Sequence, residues 1–243
     1  MLIKFSVRGA LSFVSHAEML KVFQRACARA GLKVQHSQGF NPHPKLSLPL
    51  PRPVGVESDD ELLCVWLNGN FNYQSPITNY QSLIMARLSE QLPQGCELLS
   101  VSLSKTKRAI QPRSATYIVP VQPKWINDKL RARIDSVLAS ENLIIERRIT
   151  STEMSSRAQS REPKIKTLDV RPFLESIELD GNNIIIKCEI TSAGSIRVDE
   201  ILELLEIDIE KLTAPVKRTN VQWQKTEDRI QTTEDRIILN SDS

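Results

Sequence analysis

Leu2, Phe5 and Val7 alternate with polar neighbours, and this period predicts a strand over Leu2–Val7. Arg8-Gly9-Ala10 reads as a turn. Ser15-His16-Ala17-Glu18 has capping-box spacing, in which the serine hydroxyl accepts the Glu18 amide while the Glu18 carboxylate reaches back. A helix to about residue 30 follows, with Met19, Phe23, Ala26 and Ala30 on its buried stripe and Gly31 placed to end it. Lys21, Arg25 and Arg29 recur every four residues on another face of that helix. Residues 32–35 and 61–67 predict two further strands. Ser75-Pro76 opens a helix running to about residue 91, and 97–103 predict a fourth strand. This βαβ-βαβ order is the ferredoxin-like arrangement.

The pattern then starts again. Strands are predicted at 116–121 and 143–149 around a helix over 124–139. The Ser- and Arg-rich stretch 150–161 reads as a loop. Strands at 164–170, 174–179 and 184–190, a helix over 197–205 and a strand at 216–223 complete the second unit. The expected fold class is therefore α+β, with two tandem ferredoxin-like (βαββαβ) lobes. They occupy residues 1–104 and 115–225, joined by a basic linker at 105–114. The tail 226–243 repeats Thr-Glu-Asp-Arg-Ile, carries a net charge of −3, and is expected to be disordered.

Composition sharpens this picture in two places. Between residues 1 and 56 eight basic residues face one acid, Glu18, giving a net charge of +7 in a chain whose total is only +3. Such asymmetry points to an anionic partner, RNA or another phosphate-bearing ligand. Cys27, Cys64, Cys96 and Cys188 form no C-x-x-C pair and sit in apolar runs, as buried free thiols of a reducing compartment do. With no secretory signal pattern and no run approaching the ~18 apolar residues of a membrane helix, a cytoplasmic protein that does not enter a membrane is expected.

The densest chemistry lies in His36 to Pro53, which holds five prolines and reads as an ordered loop or edge segment. All three histidines, His16, His36 and His43, fall near it. The first helix and this loop can approach each other, combining His16, Ser37, Asn41, His43, Lys45 and Ser47 in one polar site. Phe40 and the cations Lys21, Arg25, Arg29 and Arg52 complete the candidate binding set. Three uses stand open: imidazoles that satisfy loop backbone groups, recognition of phosphate or RNA, and acid–base catalysis by His16 and His43. No metal site is expected, because no cysteine pair or acidic partner has ligand spacing. Neither a P-loop nor a Rossmann glycine pattern is present.

Several of these residues also carry a family likeness. Phe5, Ser15-His16, Arg25-Ala26, Arg29-Ala30, Ser37-Gln38-Gly39-Phe40-Asn41-Pro42-His43-Pro44, Ser47, Gly55-Val56-Glu57-Ser58 and Glu61 closely resemble the bacterial radical-SAM-linked family, a domain of unknown function. Asp169-Val170-Arg171-Pro172 and Gly194-Ser195-Ile196-Arg197-Val198-Asp199-Glu200 resemble its later motifs, so the likeness extends to about Trp223. The chain departs from it at Ala17 and Glu18, where the family usually has leucine and aspartate. Such domains are encoded beside, or fused to, a radical SAM enzyme with a cobalamin-type domain. The resemblance therefore implies an accessory subunit. This chain has no C-x-x-x-C-x-x-C run, so iron–sulfur cluster and S-adenosylmethionine are expected only in the radical SAM partner. The expected function is an RNA-binding accessory protein in RNA modification. The alternatives are a histidine-dependent RNA endonuclease and a module that docks the partner enzyme.

Overall fold

The computed structural model describes residues 1–68, 77–103, 110–149 and 164–225. The α+β expectation holds. Four α-helices are present among these residues, α1 (His16–Arg29), α2 (Ile77–Ser89), α3 (Asp128–Ala139) and α4 (Val198–Leu204). The strands of the first half are β1 (Leu2–Val7), β2 (Leu46–Ser47), β3 (Glu57–Val65) and β4 (Cys96–Ser102). Those of the second are β5 (Ile110–Pro120), β6 (Ile144–Ile149), β7 (Lys164–Asp169), β8 (Leu174–Asp180), β9 (Asn183–Thr191), β10 (Gly194–Ser195) and β11 (Lys217–Lys225). Nine strands belong to one mixed sheet among the described residues, and β6 and β7 pair only with each other.

In the first half the order is β4-β1-β3-β2, every neighbour antiparallel. In the second it is β11-β5-β9-β8, again antiparallel throughout, with β10 on the same edge of β9 as β8. The two halves meet where β11 lies parallel to β3, a ladder of only two pairs, Lys217↔Glu57 and Arg218↔Ser58. Each half buries its own aliphatic core. The first packs Ile3, Leu63, Phe23, Leu88 and Leu98 together, and Phe5 meets Phe23 edge-on with ring centroids 4.7 Å apart. The second packs Val119, Ile184, Ile186, Ile201 and Val221, and reaches across to Val56. All four cysteines are free thiols; burial raises Cys27 to about 11 and Cys96 and Cys188 to about 12.

Several boundaries differ from the sequence expectation. The strand expected at 32–35 is reduced to one bridge, Val34↔Leu67. The cause is the helix stop: Leu32 N–H donates to Cys27 O (3.0 Å) and Gly31 N–H to Ala28 O (3.1 Å), with Gly31 at φ +70°. This Schellman closure takes the backbone donor the strand would have started with. The strand expected from residue 61 begins at Glu57, since its acidic residues have partners in the fold. β5 begins at Ile110 rather than 116, because its first residues already pair with β11. The helix expected from 124 begins at Asp128, where Asn127 caps it by accepting Leu130 N–H (3.0 Å). Residues 104–109 of the expected linker, the loop at 150–161 and the tail from 226 lie outside the described residues.

The seam between the halves is built from charge. Arg218 is completely buried and donates to Glu61, itself 4% exposed, and its other terminal nitrogen donates to Pro51 O at a long 3.4 Å. Burial alone would lower Arg218's pKa; the Glu61 charge and hydrogen bonds to Glu61 and Tyr117 outweigh it and raise the pKa. The neighbouring acids of β3 are matched as well. Asp60 pairs with Lys4 (2.9 Å) and accepts Val221 N–H (3.0 Å), and Asp59 pairs with Arg8 (2.9 Å) and Lys217 (3.8 Å). Removing one member of such a buried pair strands the other charge, which costs about 3–5 kcal/mol. Arg218→Ala is therefore expected to lower the unfolding free energy by that amount in a urea titration. The volume-matched double change Glu61→Leu/Arg218→Met should recover most of it. Equal loss in single and double variants would contradict this account.

Candidate functional site

The site is built on the first half, and its positioning begins at α1. Ser15 caps the helix: its Oγ accepts Glu18 N–H (3.3 Å), while its N–H (2.9 Å) and hydroxyl (2.6 Å) donate to the Glu18 carboxylate. Those two bonds, the hydroxyl's first, hold Glu18 below the usual carboxylate range. Met19, Phe23, Ala26 and Cys27 face the core, which turns Lys21, Arg25 and Arg29 outward. Arg29 is already engaged, donating to the Gln91 side chain (3.1 Å) and to Gln91 O (2.7 Å) just beyond α2. Lys21 and Arg25 have no such partner among the described residues.

The Pro-rich segment splits into two parts with opposite fates. Residues 36–44 form a closed excursion. His36 bridges Pro44, Ser37 N–H donates to His43 O (2.8 Å), and His43 N–H donates to Ser37 Oγ (2.9 Å). Below this neck three backbones interlock. Gln35 N–H donates to Trp66 O (2.7 Å), Lys45 N–H to Gln35 O (2.7 Å), and Trp66 N–H to Lys45 O (3.2 Å). Above it, Gly39 takes φ +134°, which favours glycine, and Phe40, Asn41 and His43 are exposed. Lys45 is exposed beside Trp66, which keeps 40% of its surface in solvent. Ser47 sits half-buried in β2, paired with Cys64 of β3.

Residues 48–56 are held against the fold at Leu48 and Val56, which are buried, while Pro51 and Val54 stay exposed. Arg52, a member of the candidate set, is half-buried, and its guanidinium is engaged by backbone carbonyls. Its Nη1 donates to Ser12 O (2.7 Å), Val56 O (2.6 Å) and Pro53 O (3.2 Å), and its Nη2 to Leu11 O and Val14 O (both 3.1 Å). Burial lowers its pKa, yet a guanidinium stays charged, and five carbonyls satisfy it. Beside it lies a small cleft lined by Ser15, His16, Met19, Leu50, Arg52 and Glu61 among others. Its water-sized interior is about 10 Å³, room for about one water. His16 lines this cleft, and His43, exposed on the loop, is not among its lining residues. Among the described residues no group of three or more His, Cys, Asp or Glu is placed to hold a metal ion. No helix there is long and apolar enough to cross a membrane.

The later motifs are occupied within the fold. Arg171 donates to Leu138 O (2.9 Å), Ser140 O (3.1 Å) and Leu174 O (2.8 Å), tying off the end of α3. Asp169 accepts Leu143 N–H (2.8 Å) and Arg171 N–H (3.0 Å). Arg147 forks onto Glu200 (2.7 and 2.8 Å) and reaches Ser195 O (2.9 Å), pinning the β6–β7 hairpin to α4. Two important residues escape sequence reasoning. Trp66 lies at the end of the strand predicted at 61–67 with nothing to mark its exposure, and Arg218 sits in a polar strand with no local mark of its burial. The available signal for the latter was Asp59-Asp60-Glu61, three acids inside a strand that must find cations.

The family model described as an uncharacterized protein conserved in bacteria (DUF2344) matches residues 1–222, so the chain belongs to that family. No curated protein matches the chain.

If Arg52 organises the carbonyls of two turns, Arg52→Met should lower stability by about 3 kcal/mol, the order expected for several charged hydrogen bonds acting together. Arg25→Met, which removes only an exposed cation, should stay within about 0.5 kcal/mol of wild type. Chemical denaturation of the two variants checks this, and a neutral Arg52→Met would contradict the structural role.

Proposed function

We propose that this member of an uncharacterized bacterial family is an RNA-binding accessory protein of the cytoplasm, working with a radical SAM enzyme in RNA modification. The observation that carries the RNA reading is the sorting of cations in the first half. Lys4 and Arg8 are paired with Asp60 and Asp59, Arg52 is enclosed by carbonyls, and Arg29 holds Gln91. Lys21, Arg25, Lys33 and Lys45 are exposed and have no acidic partner within ion-pair distance among the described residues. Exposed cations outside ion-pair distance of an acid attract a polyanion and release its counterions on binding. We read the antiparallel orders β4-β1-β3-β2 and β11-β5-β9-β8 as two ferredoxin-like units fused edge to edge, a fold analogy that supports the reading. The radical SAM partner rests on the resemblance of the motifs around Ser37–Pro44 and Gly194–Glu200.

A mixed pool of cellular RNA, titrated by filter binding at several salt concentrations, tests this reading. The triple change Lys21→Ala/Arg25→Ala/Lys45→Ala should weaken binding at low salt. It should also flatten the slope of log K against log[salt] by about 0.7 per lost contact, or about two in total. Arg29→Ala should change the slope by well under the ~0.7 of one lost contact. Absence of RNA binding, or a slope unaltered by the triple change, would refute the reading.

A further inference from the structure

The Ser37–His43 loop uses almost none of its side chains on the fold. Ser37 closes the neck, while Gln38, Phe40, Asn41 and His43 are exposed without a side-chain bond among the described residues. Phe40 stands at 106% relative exposure, so its ring touches little of its own chain. Leaving a phenylalanine in water forgoes the burial that ordinarily stabilises it, and a fixed loop that does so holds the ring for something else.

We propose that Phe40 and Trp66 are a stacking platform for unpaired bases, so that the ligand of this basic surface is single-stranded RNA. The inference rests on the RNA reading above and narrows it. Single strands are held where aromatic faces and cations alternate, because every base offers a π-face and every phosphate a charge. Both are present here. Trp66 is hydrogen-bonded through its backbone to Gln35 on one side and Lys45 on the other, which anchors its half-exposed ring at the foot of the loop. Phe40 is four residues from the His36–Pro44 bridge, at most about 14 Å of chain. Exposed His36, His43, Lys33 and Lys45 lie along the same stretch. Pro42 and Pro44 restrict the loop's backbone, so little ordering entropy is lost on binding. A duplex keeps its bases stacked inside and would meet only the cations. A protein partner docking here would find two aromatic rings set among polar and cationic groups rather than the contiguous apolar centre of an interface.

The test uses the full chain, a twelve-residue oligouridylate, and the same strand annealed to oligoadenylate, each titrated by fluorescence anisotropy at about 0.15 M salt. The single strand is expected to bind at least ten-fold tighter than the duplex. Phe40→Ala and Trp66→Leu should each weaken single-strand binding by about 5- to 150-fold while leaving the salt slope unchanged, since no cation is removed. Phe40→Trp should restore it. Melting curves accompany each variant, and Phe40→Ala, which removes an exposed side chain, should melt as wild type does. Equal affinity for duplex and single strand, or wild-type affinity in Phe40→Ala, overturns the platform. If the Lys21/Arg25/Lys45 triple variant still loses affinity in that case, the RNA reading stands without it. Failure of both RNA forms and of the cellular pool to bind overturns both.

Discussion

A guanidinium buried with no access to water must be matched by a carboxylate, and the position of Arg218 against Glu61 follows from that requirement. The backbone ladder joining β3 to β11 is only two pairs long, too short to hold two cores in register by itself. Charge supplies the remainder: Arg218 on Glu61, the Val221 amide on Asp60, and Lys217 on Asp59. Through Pro51 and Val56 the same seam fixes the segment that Arg52 gathers, and with it the turn leading into α1. The loop that faces solvent is thus mounted on a base whose geometry is set by ion pairing.

This arrangement divides the chain's polar side chains into two groups. One group is satisfied internally: Ser15 with Glu18, Arg52 with its carbonyls, Arg147 with Glu200, and Arg171 at the end of α3. The other comprises Lys21, Arg25, Lys33, Lys45 and the loop from Gln38 to His43, which the fold leaves available. The second group is gathered on the first half and rich in cations, aromatics and amides. Those chemical types together suit a flexible polyanion with exposed rings better than they suit a compact small molecule.

Sequence pattern reached the local features well and the long-range ones poorly. The capping box at Ser15, the stripe of α1, the outward face of Lys21 and Arg25, and the glycine stop at Gly31 are local, and periodicity reports them directly. The strand that spacing predicts at 32–35 does not form, because the helix closure competes for the Leu32 amide, a detail apolar spacing does not carry. Arg52 in a Pro-rich loop and Arg29 on a helix face read as free cations, because their carbonyl and amide partners lie up to 62 residues away, outside any local window. Arg218 and Trp66 owe their roles to strands brought together across the sheet, and no window of sequence contains both members of either pairing.

The central claim is that the surface of the first half, and its loop in particular, meets RNA bases. Photocrosslinking reads this contact directly. An oligouridylate carrying 4-thiouridine, irradiated with the full chain and digested with trypsin, should leave its adduct on the peptide spanning residues 34–45, at Phe40 or its neighbours, with a second adduct at Trp66. Adducts confined to residues 110–225, or none at protein concentrations where the oligonucleotide is bound, would contradict the account.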